Sequence, residues 1–94
     1  MSATTYLYSS PDFIHYAAVG ADLDLMALDP KGQRRTCRRI LANGPAVGGV
    51  YNIALQRGDG TNVTITIVGG QSVEVQARKI YAAGTTATNL LVHW

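Results

Sequence analysis

Ninety-four residues with a formal net charge of +2 are enough for one domain and one modest core. A lone cysteine, Cys37, excludes an internal disulfide and reads as a small apolar residue in a reducing compartment. Only 15% of residues are charged, against roughly 25% in an ordinary soluble domain, so faces that meet other subunits are expected, since these are poor in charge and keep aromatics.

The first six residues, Met-Ser-Ala-Thr-Thr-Tyr, are neither basic nor apolar, and no apolar run approaches the ~20 residues of a membrane span. A soluble, untargeted chain with no membrane partner is therefore expected. So short a domain buries roughly 60 to 65% of its unfolded surface, so neighbours are the expected source of extra stability.

Residues 1–29 read as an extended N-terminal arm, holding three of five tyrosines, the only Phe, both Met and four of six acidic residues. Thr4–Tyr8 and Asp22–Leu28 look like strands, while Phe13–Ala18 fits a short helical turn or another strand. Tyr6, Tyr8, Phe13, Tyr16 and Met26 are large side chains of the kind that anchor interfaces, and partner binding is expected there. Asp22 and Asp24 would share one face of a strand, but two carboxylates are too few for calcium, and no cysteine pair or His-x-x-x-His spacing suits zinc. No metal is expected.

Asp29-Pro30-Lys31-Gly32 reads as a turn separating the arm from a β-domain over residues 30–94. Lys31, Arg34, Arg35, Arg38 and Arg39 supply five of the eight basic residues. A strand from Gln33 to Ala42 would put Arg34 and Arg38 on one face and Arg35 and Arg39 on the other, which implies an edge strand or one sealed by another subunit. Docking onto an acidic protein surface and solvated edge charge are both open readings. Nucleic acid is disfavoured, because no aromatic residue interleaves with the arginines.

Gly44-Pro45-Ala46-Val47-Gly48-Gly49 lacks the spacing of a phosphate or dinucleotide loop and reads as a connection. Beyond it, period-2 alternation marks strands around Tyr51–Gln56, Asn62–Ile67 and Val73–Arg78, with Asp59-Gly60 as a hairpin turn and Gly69-Gly70 as a stop. A closing strand carries Leu90, Val92 and Trp94 on one face, so Trp94 is expected to pack. Regular short strands with no long helix predict an all-β fold, a small antiparallel sandwich or barrel with an N-terminal arm.

Catalysis finds little support. The only histidines are His15 and His93, no serine sits on a strand-to-helix elbow, and no cofactor motif occurs. His15, among Phe13, Ile14 and Tyr16, is expected to be packed and hydrogen-bonded, and His93 likewise.

Arg38-Arg39-Ile40, the Gly58-Asp59-Gly60-Thr61 hairpin and above all the segment from Lys79 through Ala82-Ala83-Gly84-Thr85-Thr86-Ala87-Thr88-Asn89 to Val92 carry a resemblance. Over roughly residues 38–94 the chain resembles small β-proteins of tailed-phage and gene-transfer-agent heads, the decoration (cement) and spike-base proteins. The resemblance implies a non-enzymatic virion subunit assembled in the host cytoplasm, without cofactor. It would bind the major capsid protein as a homo-oligomer, a trimer by preference or a pentamer at a vertex. A tail or baseplate subunit, or a module for peptide or nucleic acid, is the alternative.

Overall fold

The computed structural model describes residues 12–94, so Tyr6, Tyr8 and the strand expected at Thr4–Tyr8 lie outside the described residues. The described chain is all-β: β1 (Phe13–Tyr16), β2 (Leu23–Asp24), β3 (Cys37–Gly44), β4 (Val50–Arg57), β5 (Asn62–Val68), β6 (Gln71–Tyr81) and β7 (Thr88–His93). They form one antiparallel sheet in the order β1-β7-β3-β6-β4-β5, with β2 alongside β6.

The long strand β6 joins the two halves. Its first part pairs with β3 and its second with β4. Two steps along β3, Cys37 to Arg39, match three along β6, Ala77 to Glu74, and a second slip falls opposite Gln56 and Arg57. Such bulges bend and twist a strand, and here they let β6 carry the sheet around a single core. Ile40, Ala42, Leu90 and Val92 from one half meet Ile53, Leu55, Ile67 and Ile80 from the other. Trp94 joins them at 3% exposure, as its place on the Leu90 and Val92 face predicts. Cys37 lies in the same core, and burial pushes its thiol up to about 11, so it stays protonated and inert.

Phe13–Tyr16 proves to be a strand, paired with β7. Of the expected Asp22–Leu28 strand only Leu23–Asp24 is extended, after which the chain turns, Asp24 carbonyl accepting from Leu28 N–H at 3.0 Å. Asp22 accepts from Ala82 N–H at 2.8 Å and Asp24 from Ala27 N–H at 3.3 Å, so each carboxylate serves a separate local bond. In the β4–β5 hairpin Asp59 accepts from Thr61 N–H at 2.9 Å, and Gly60 takes the positive φ of 90° that Asp-Gly turns exploit.

The basic segment departs from its reading as an edge strand. β3 is central, between β7 and β6, and it begins at Cys37. Arg34, at φ 54°, stands in the left-handed region and cannot belong to a strand. The slip against β6 breaks strict alternation, so Cys37 and Ile40 both point inward and Arg38 and Arg39 between them both reach solvent. A bulge thus seats two adjacent arginines on an interior strand, which the period-2 rule forbids.

The Gly84-Thr85-Thr86-Ala87 segment has a definite structural task. β6 covers one edge of β4 only from Ala54 onward. Beyond that the two threonines take over: Thr86 exchanges bonds with Asn52, its hydroxyl accepting from Asn52 N–H and its own N–H donating to Asn52 carbonyl, both at 2.9 Å. Thr85 hydroxyl accepts from Ala54 N–H at 3.0 Å while donating to Tyr81 carbonyl at 2.6 Å. Replacing Thr85 with Val keeps the shape but strands the Ala54 donor, and stability should fall by about 1 to 3 kcal/mol in urea denaturation. An unchanged urea midpoint would show that water serves the donor equally well.

Candidate docking face

β1, β7, β3 and the start of β6 present a second face, opposite the core. The register lines up two rows across it. Phe13 lies beside His93, Arg39 and Glu74, while His15 lies beside Leu91, Leu41 and Ser72. Phe13 is 45% exposed and its ring sits 5.3 Å from that of His93. Leu41 and Leu91 are half-buried yet lie outside the set packed on the core, so they belong to this outer face.

His15 is exposed on this face, contrary to the packed, hydrogen-bonded histidine expected. Strand alternation explains the difference, since Ile14 and Tyr16 take the inward positions and leave His15 none. His93 is half-buried with its ring tilted 35° to that of Phe13, and burial, with Arg39 and Arg38 nearby, holds its pKa below the usual histidine value. It is therefore mostly neutral at pH 7, and the charges in its row are those of Arg39 and, on β6, Glu74.

The five basic residues divide into two groups. Arg35 binds Asp29 with both arms of its guanidinium, Nε to Oδ2 and Nη2 to Oδ1, each at 2.9 Å. The backbone N–H groups of Arg35 and Lys31 donate to the same carboxylate at 3.0 and 2.9 Å. Asp12 lies 3.5 Å from Arg35 Nη2 and 3.4 Å from Lys31 Nζ. Lys31 and Arg35 therefore tie the Asp29 turn to the start of β1. Arg34, Arg38 and Arg39 are exposed and enter no ion pair among the described residues.

The aromatic anchors divide as well. Phe13 faces outward, whereas Tyr16 packs toward the core, its hydroxyl buried without a hydrogen-bond partner among the described residues. Met26 is half-buried. Sequence reasoning missed Leu41 and Leu91, although a signal was present: Ile40-Leu41-Ala42 and Leu90-Leu91-Val92 are unbroken apolar runs, the mark of strands covered on both faces.

A depression of about 430 Å³ lies elsewhere, between β4, β5 and the Tyr81–Ala83 turn. Of its polar groups, Asp22 accepts from Ala82 N–H and the Tyr81 hydroxyl donates to Asn62, each at 2.8 Å. No helix is long and apolar enough to cross a membrane, and no group of three or more possible metal ligands occurs among the described residues. Comparison with family models, curated proteins and solved structures gives no match, so the docking face stands on its own geometry.

Proposed function

We propose that this protein is a non-enzymatic structural subunit of a tailed-phage virion, a decoration or spike-base protein that binds the major capsid protein through the outer face of β1, β7 and β3. The observation that carries the reading is the composition of that face. Phe13, Leu41 and Leu91 form an apolar centre, with His93 beside them and Arg38 and Arg39, without ion pairs among the described residues, near His93. An apolar, aromatic centre with a charged margin is the usual anatomy of a protein interface. The Gly84–Asn89 segment that carries the sequence resemblance supports the same reading.

Capsids lacking the protein, mixed with purified chain, provide the test. Buried anchors govern release and rim charges govern encounter. Phe13→Ala is therefore expected to shorten retention on capsids, as is removal of residues 1–11 with Tyr6 and Tyr8. Changing Arg34, Arg38 and Arg39 together to Ala should slow association and flatten its salt dependence. Lys31 and Arg35 variants should act through stability instead. Retention untouched by Phe13→Ala and by the arginine changes would remove the face from the interface. Binding of the intact chain to tails or to nucleic acid in place of capsids would overturn the head assignment.

A further inference from the structure

The sheet has two ends, and they are not alike. β1 is four residues long, and shortness is itself a protection against unwanted pairing. β5 is seven residues, Asn62-Val63-Thr64-Ile65-Thr66-Ile67-Val68, with no charge, proline or glycine. It pairs with β4 along its whole length, and among the described residues nothing hydrogen-bonds its outer edge. A seven-residue, uncharged, β-branched edge with no proline or glycine is a template for another strand.

The core beside it is also unfinished. Ile53 and Leu55 on β4 are fully buried, yet their register partners Ile65 and Val63 on β5 are only half-buried. One more strand beyond β5 would cover both.

We propose that the strand completing this edge is β5 of a second copy, paired antiparallel about a two-fold axis at Ile65. The sequence is nearly a palindrome about that residue. The pairing sets Val63 opposite Ile67 on the inner face and Thr64 opposite Thr66 on the outer, with each face meeting its like. An isologous contact needs a self-complementary surface, and an uncharged strand brings no repulsion to its own copy. The pairing does not rest on the capsid reading and stands or falls separately from it.

Sedimentation equilibrium on the purified full chain, across micromolar to high-micromolar concentrations, gives the mass. The intact protein is expected to be a dimer. Thr64→Lys with Thr66→Lys sets lysine opposite lysine twice across the axis and should yield a folded monomer that melts below the dimer, both substituted positions being exposed and Val63 and Ile65 losing their cover. Thr64→Lys with Thr66→Glu sets opposite charges face to face and should restore the dimer. Ile65→Cys should cross-link two copies on mild oxidation, because directly opposed strand residues lie within disulfide reach and Cys37 is buried. A monomeric intact protein, a ring of three, five or six copies, or a dimer indifferent to both charge variants would each overturn the pairing.

Discussion

Replacing Trp94 with Ala is expected to cost about 3 to 5 kcal/mol, the range for deleting a buried aromatic side chain. Total stability in a domain this size is about 5 to 14 kcal/mol, so the variant stands near its folding threshold. The indole is 3% exposed and its Nε1–H donates to Leu25 carbonyl at 2.9 Å, while its backbone N–H donates to Asp12 carbonyl at 2.7 Å. It thus holds the turn at the fully buried Leu25 against the end of β7. Removing it opens a cavity and leaves a carbonyl short of its donor. Thermal melting should show a loss of roughly 12 °C or more, and Trp94→Phe should recover most of it, since the apolar bulk outweighs one hydrogen bond. An unaltered transition in Trp94→Ala would place the side chain outside the core.

Asp29→Asn should lower the melting temperature by roughly 10 °C at neutral pH, because it turns an acceptor of four N–H groups into a side chain that presents N–H to N–H. The Asp29 carboxylate is sealed from solvent, and the guanidinium of Arg35, hydrogen-bonded across both oxygens, holds its pKa well below the usual carboxylate range. A pKa lower in the folded than in the unfolded state stabilises the fold above the unfolded value, about 3.9, and the benefit is lost as pH falls through the folded value. The gap between the intact protein and Asp29→Asn is therefore expected to be full above about pH 5, then to narrow steadily on acidification below about pH 4. Melting curves from pH 7 down to strong acid decide the point. A gap that stays constant in acid would show that charge on Asp29 contributes nothing.

Much of the architecture could be read directly from the chain. The alternation of Tyr51, Ile53 and Leu55, the Asp59-Gly60 turn and the Leu90, Val92, Trp94 series depend on local geometry, and each appears in the fold as expected. Period-2 patterning reports which side of a strand meets apolar surroundings, and that preference is written in the strand itself. The all-β class follows from the same signal.

Placement across strands is a different matter, because it depends on register between segments distant in the chain. Nothing local to Gln33–Ala42 announces that β6 will slip by one residue opposite Arg38, and that slip turns a presumed edge strand into an interior one with two solvent-facing arginines. Nothing local to Lys31 and Arg35 reveals that Asp29 and Asp12 will claim them. His15 was misplaced for the same reason, since its side of β1 is set by Ile14 and Tyr16 meeting Val92 and Leu90. The sequence by itself determined the all-β class, the four strands from Tyr51 onward, the Asp59-Gly60 turn and a chain poor in charge. The tertiary structure alone decided which basic residues remain available and which apolar ones share a face, because hydrogen-bond register and ion pairing are made between segments, not within them.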